Sequence, residues 1–135
     1  MPETPRSLLD SYAILALLND ERGAEAVADL LRQAVEADAP LLVNEINVGE
    51  VYYIVAKHRS VDDAERVLHY LDTLPLEIVH NEYEHVLDAA RVKASYPLSY
   101  ADAFAVATAV RLHATIVTGD AEFASVQKLV EIRWI

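Results

Sequence analysis

Cysteine is absent from the 135-residue sequence, which removes disulfides, thiolate zinc sites and thiol nucleophiles together. Long apolar runs are absent too. None approaches the roughly 18 to 20 residues that span a bilayer, and the N-terminal MPETPRSLLD has neither the basic region nor the apolar stretch of a signal peptide. The expectation is a soluble cytoplasmic protein with no membrane segment. Positive charge is scarce: 11 Lys and Arg stand against 22 Asp and Glu, a net charge of −11. That balance argues against broad electrostatic binding to nucleic acid, which draws on many cation–phosphate contacts. It leaves room for carboxylates gathered around a cation, because they add to the same negative total and are offset only when metal binds. There is no internal repeat, linker or low-complexity segment. A chain of 135 residues with 53% hydrophobic content suits a single domain, 1–135, with a closed core.

Short apolar strands are expected at Ser7 to Leu9, Leu41 to Val43, Leu76 to Val79 and Thr115 to Thr118. Helical periodicity runs over Tyr12 to Leu18 and Ala24 to Ala37, the latter with an apolar stripe Val27, Leu30, Leu31, Ala34 and Val35. Glu45 to Lys57 is apolar on nearly every side, which predicts a sandwiched helix. Val61 to Leu74 carries Val61, Ala64, Val67, Leu68 and Leu71 behind a Ser60 cap, and Glu82 to Tyr96 carries Val86, Leu87, Ala90 and Ala94. A helix follows Pro97 and a Ser99 cap, presenting Ala101, Ala103, Ala105, Ala107 and Ala109, small enough for close backbone approach. Ala121 to Ala124 makes one turn, and Leu129 to Ile132 with Trp134 and Ile135 suggests a last short strand. Strands alternating with helices imply a central parallel sheet covered on both faces. In open sheets of this kind, sites form beyond the carboxyl ends of the strands.

Asp10 and Asp120 stand at such ends, and Asp102 lies in the first turn of the helix entering the Thr115 strand. Each has a purely structural reading as well. Asp10 suits a helix cap, Ser99 to Asp102 matches a capping box with Asp for the usual Glu, and Asp120 follows Gly119 in a turn. Glu50 differs, since its neighbours three and four residues away are Ile46, Asn47, Tyr53 and Ile54, a largely apolar face on which a lone carboxylate is costly unless paired, protonated or bound to metal. Lys57 and Arg59 lie too far along the helix to pair with it within one turn. Three acids at one end of a sheet beside an enclosed glutamate would repel one another until protons or a cation intervened. Oxygen donors with neither Cys nor a His-x-x-x-His pair point to Mg²⁺ or Mn²⁺.

These residues resemble a known family. Leu8-Leu9-Asp10-Ser11, Asn44 to Val51, Ser99-Tyr100-Ala101-Asp102-Ala103 and Thr118-Gly119-Asp120 occur in the order and approximate spacing of the PIN-domain ribonucleases, and most resemble the VapC-type toxins of toxin–antitoxin pairs. The resemblance implies a three-layer α/β/α sandwich with a central parallel sheet, and metal-dependent endonucleolytic cleavage of RNA. It also implies that Asp10, Glu50, Asp102 and Asp120 form the catalytic, metal-holding cluster. Ser11 and Thr118 match supporting hydroxyl positions, and Glu122 an often acidic one. Asn44 departs from the Ser or Thr usual in relatives. A cognate antitoxin that covers the acidic groove and a homodimer are further implications.

The expected chemistry is phosphodiester hydrolysis by a metal-activated water, with no covalent protein nucleophile. Asp10 and Asp102 would anchor the principal Mg²⁺ or Mn²⁺, with Glu50 and Asp120 completing its shell or holding a second ion. Arg91, Lys93 and Lys57 are candidate RNA contacts. Two other readings keep an α/β fold. One is a catalytically inactive scaffold or dimerisation module. The other is a phospho-receiver domain, which requires an acidic pair after an early strand and a lysine ending a late one. Asp62-Asp63 sits instead at an expected helix start, and Thr118-Gly119 contains no lysine.

Overall fold

The computed structural model describes residues 4–135; residues 1–3, on which the reading of the N-terminus partly rests, lie outside it. Among the described residues five strands form one sheet, β1 (Ser7–Leu9), β2 (Leu41–Asn44), β3 (Leu76–Val79), β4 (Thr115–Thr118) and β5 (Ile132–Trp134). They lie in the order β3-β2-β1-β4-β5, with every neighbouring pair parallel. The helices are α1 (Ser11–Leu18), α2 (Ala24–Ala37), α3 (Glu45–His58), α4 (Val61–Asp72), α5 (Tyr83–Ser95) and α6 (Tyr100–Leu112), followed by a 3-10 turn over Ala121–Val126. No helix among them is long and apolar enough to cross a membrane.

The period-2 alternation of a strand divides its side chains between two faces, and the cores divide accordingly. Leu9, Leu41, Val43 and Val117 pack with residues of α1 to α4 such as Ile14, Val27, Val51 and Leu71. Leu8, Leu42 and Ile116 pack with Leu98, Ala105, Val106, Ala109 and Phe123 on the opposite side. The result is the expected α/β/α sandwich. The alanines of α6 let it lie against α3, α5 and the three central strands at once. Because β1 leads to β2 on one side and pairs with β4 on the other, connections diverge at the β1/β4 seam. A crevice at the carboxyl ends follows from that divergence.

Side-chain caps fix where the helices begin, as their residue types predict. Asp10 accepts from Ala13 N–H, Ser60 from Asp63 N–H and Ser99 from Asp102 N–H. Asn44 does more. Its carbonyl accepts from Ile46 N–H and from Asn81 Nδ2, both at 2.9 Å, while its amide donates to Asn81 Oδ1 at 2.9 Å and to Thr108 Oγ1 at 2.8 Å. This fully buried side chain therefore joins the end of β2 to α6 and to the residue pair after β3. Asn44→Ala should lower unfolding free energy by about 3 kcal/mol, since a cap is lost and buried polar groups are stranded. Asn44→Ser should recover about 1 kcal/mol of that through its cap hydroxyl. Equilibrium urea unfolding of both variants measures the difference, and equal losses would contradict the capping contribution.

Several expectations are corrected. Val35 and Val61 are exposed although they fit the apolar stripes of α2 and α4. The buried centre of α5 is Ala89, whereas Ala94 is exposed. Helix α3 is not enclosed on all sides: it buries the line Asn47, Val51, Val55 and leaves Ile46 and Tyr53 at the surface. The last strand is Ile132–Trp134, and Leu129 and Val130 belong to the turn before it. Asp62 and Asp63 head α4, with Asp63 bridged to Arg66, so the receiver arrangement of paired acids at a strand end is not formed.

Candidate active site

Asp10 follows β1 directly and caps α1, which places its carboxylate at the β1/β4 seam. It is 1% exposed. One oxygen accepts from Ala13 N–H at 2.9 Å and the other from Thr118 Oγ1 at 2.5 Å. Thr118 is itself fully buried, and its hydroxyl oxygen also accepts from Asp120 N–H at 3.0 Å. One threonine at the end of β4 thus holds two of the four acids in register. Burial pushes Asp10 up to about 7, against the opposing hydrogen bonds from Thr118 and Ala13, and repulsion from Asp102 and Asp120 adds to the rise.

Asp102 is buried in the first turn of α6. Its N–H donates to Ser99 Oγ at 3.1 Å, which forms the forward half of the expected capping box. Burial raises its carboxyl to about 6; the Ser99 hydroxyl opposes this, while Asp120, Glu50 and Glu122 push it further up. Asp120 starts the 3-10 turn and accepts from Glu122 N–H at 2.9 Å. That turn brings Glu122 round, so that one carboxylate oxygen from each of Asp102, Asp120 and Glu122 lies within 4.8 Å of the others. Glu50 comes in from the middle of α3. It is half-buried rather than enclosed, and its Oε1 accepts from Ser11 Oγ, the residue next to Asp10.

The structure therefore brings Asp10, Glu50, Asp102, Asp120 and Glu122, with Ser11 and Thr118, to the same end of the sheet. Asp102, Asp120 and Glu122 form one close grouping, and Asp10 lies near enough to Asp102 and Asp120 for their charge to raise its carboxyl. Lys93 is exposed in the last turn of α5, while Arg91 and Lys57 lie away from this grouping. Arg91 pairs with Asp88 and borders a groove shared with Ala107, Val110 and Arg111, five or more residues along α6 from Asp102. Lys57 lies two turns from Glu50 on the exposed end of α3, about 10 Å at the rise of a helix. Among the described residues no ion pair reaches any of the five acids.

Asn47 was not singled out by the sequence. It is fully buried one turn before Glu50 on α3, and its amide donates to the carbonyl of Ala101, the residue preceding Asp102, at 3.2 Å. Among the described residues its own carbonyl oxygen has no partner. The spacing of three from Glu50 was the available signal, since such residues share a helix face.

This donor set fits a hard divalent cation. It consists of carboxylates with no thiolate or imidazole, two of them destabilised as anions by burial, beside a buried acceptor that lacks a donor such as an ion's bound water would supply. Asp10, Glu50, Asp102, Asp120 and Glu122 are the residues that could hold one.

Comparison with known proteins follows the same lines. The sequence profile of the PIN domain matches residues 7–129. Among solved structures, the chain resembles VapBC2 from Rickettsia felis bound to promoter DNA, with TM-score 0.74 and 14% identity over 94% of this chain and 96% of that one. It resembles VapC20 from Mycobacterium tuberculosis, a sarcin–ricin-loop-cleaving toxin, with TM-score 0.70 and 14% identity over 94% and 98%. A toxin–antitoxin complex from Klebsiella pneumoniae gives 24% identity at TM-score 0.61 over 96% and 99%. At these identities the likeness is one of fold. No curated protein is similar enough in sequence to count as a match.

Proposed function

The chain belongs to the PIN-domain family, and from that premise we propose that it is a Mg²⁺- or Mn²⁺-dependent endoribonuclease acting as the toxin of a toxin–antitoxin pair. The observation that carries this reading is the convergence of Asp102, Asp120 and Glu122 within 4.8 Å, beside Asp10 and Glu50, at the switch point of the sheet. A divalent ion held there supplies Lewis acidity, lowering the pKa of water and stabilising the charge that builds on phosphate. The protein's own part is to hold the acids in place before substrate arrives. Thr118 fixes Asp10 and the backbone of Asp120, Ser11 orients Glu50, and Ser99 anchors the turn that carries Asp102. Held together without cations, the acids repel an RNA phosphate, so the groove admits substrate only when its charge is offset.

An uncompensated acidic groove also suits a basic side chain from a cognate antitoxin, which would occupy the place of metal and substrate. Support for that partner is the fold shared with the Rickettsia felis and Klebsiella pneumoniae complexes. A homodimer and a cytoplasmic setting belong to the same reading.

The test is cleavage of cellular RNA by the purified chain with Mn²⁺ or Mg²⁺ and with chelator, the ends being mapped by sequencing. Mn²⁺ should also raise Tm by roughly 5–10 °C at a hundredfold excess over Kd, because it binds only the folded form. A Tm shift with no cleavage would support the inactive scaffold instead. The absence of both effects would remove the metal site from the reading altogether.

A further inference from the structure

We propose that Tyr12 is a substrate-binding residue of this site, its ring being the surface on which a nucleobase next to the scissile phosphate stacks. The inference rests on the ribonuclease reading above and extends it to how RNA is held. Tyr12 is the second residue of α1, two positions after Asp10. Its ring reaches across the β1/β4 seam to Gly119, the residue before Asp120. A Cβ added to Gly119 would lie 2.4 Å from Tyr12 Cε1, 2.7 Å from Cζ and 2.9 Å from the hydroxyl oxygen. Backbone conformation does not require glycine here, since Gly119 lies outside the left-handed region. What requires it is the approach of the ring.

That seat leaves the ring accessible. Tyr12 is 38% exposed, and among the described residues its hydroxyl makes no hydrogen bond to the protein. A tyrosine serving only to seal the sheet end would gain from burying its ring and satisfying its hydroxyl. This one stays partly open, seated on the residue before Asp120. Among the described residues no ion pair reaches the acids, and Arg91 is paired with Asp88 beside a separate groove. Metal charge can serve the scissile phosphate, but the flanking nucleotides need a neutral contact. An aromatic face supplies one, and base–aromatic stacking is worth about tenfold to a hundredfold in affinity.

The test uses an oligoribonucleotide containing the cleavage site mapped with the wild type, and measures KM and kcat in Mn²⁺ for Tyr12→Phe, Tyr12→Leu, Tyr12→Ala and Gly119→Ala. Tyr12→Phe should keep KM within about twofold. Tyr12→Leu fills the seat without a π face, and like Tyr12→Ala it should raise KM about tenfold or more. In both, kcat should stay within about threefold, and the Mn²⁺-dependent rise in Tm should be unchanged. Gly119→Ala displaces the ring and should raise KM similarly, yet add little in the Tyr12→Ala background, because both changes remove one contact. Unmoved KM in Tyr12→Leu and Tyr12→Ala overturns the inference and leaves the ribonuclease reading standing. So does a fall in kcat with loss of the Mn²⁺ shift, which would mean that the ring only supports the acids. Wild-type protein that cleaves no RNA with either metal removes the ribonuclease reading, and this inference with it.

Discussion

Asp102→Asn should reduce divalent-metal-dependent RNA cleavage by about a thousandfold or more, a loss of about 4 kcal/mol in transition-state stabilisation. Asp102 is the buried member of the Asp102, Asp120 and Glu122 grouping, and Glu50 also faces it closely enough to raise its pKa. Asparagine keeps the shape and leaves the Asp102 N–H bond to Ser99 intact, so the start of α6 should be undisturbed. What it removes is the one buried anionic ligand of the grouping. The Mn²⁺-dependent rise in Tm should vanish with the activity. Glu122→Gln should cost less, because Glu122 is exposed and free to be replaced by water as a ligand. Asp62→Asn, at the distant start of α4, should change nothing. Far-ultraviolet circular dichroism, Tm and cleavage of the mapped RNA site together decide the matter. An Asp102→Asn protein that folds and cleaves at the wild-type rate would falsify the assignment.

Where a local rule governs structure, the sequence was a sufficient guide. Helix α2 begins and ends at the expected Ala24 and Ala37 because a regular apolar stripe and a polar break define it on both sides. Ser60 and Ser99 cap as their side chains allow. The misplaced last strand has a different origin. Leu129 and Val130 are apolar because Val130 fills the core under α6, whereas the paired segment Ile132–Trp134 is an edge strand exposed along much of its length. Hydrophobicity there marks a packing contact, not pairing. Glu50 was misjudged for a related reason: the apolar neighbours that implied enclosure include Ile46 and Tyr53, which face solvent.

The acids themselves were legible as residues at strand and helix ends, but their distances were not. That Thr118 would satisfy Asp10 and Asp120 together depends on β1 and β4 being adjacent, in the register that sets Leu9 against Val117. The inward turn of Glu122 depends on the 3-10 geometry after Asp120. The contact of Tyr12 with Gly119 links residues more than a hundred positions apart, and no local pattern encodes it.

The metal-free protein should lose stability as pH rises from about 4 to about 7, and Asp10 should be the main cause. Its carboxyl titrates near 3.8 when unfolded and is raised to about 7 in the fold. Between those values the native form binds more protons than the unfolded form, so unfolding free energy falls with increasing pH. The favourable contribution is complete below about 4 and gone above about 7. Each unit of separation is worth about 1.4 kcal/mol, which puts the cost of an ionised Asp10 on the order of 4 kcal/mol. Asp102, raised to about 6, acts in the same direction over a narrower window. With many other acids also titrating, the informative quantity is the stability difference between wild type and Asp10→Asn. Asparagine can still accept from Ala13 N–H and donate towards Thr118 Oγ1, but it never ionises. The variant should match the wild type near pH 4 and exceed it by several kcal/mol at pH 7.5, when both are measured by urea unfolding in chelator. Adding Mn²⁺ at pH 7.5 should narrow that gap by stabilising the wild type more than the variant, since a cation offsets the charge that burial disfavours. A pH-independent difference would mean that Asp10 is not destabilised as an anion. A gap that Mn²⁺ leaves untouched would separate that destabilisation from the metal site, so the two halves of the experiment test the electrostatics and the ligand assignment independently.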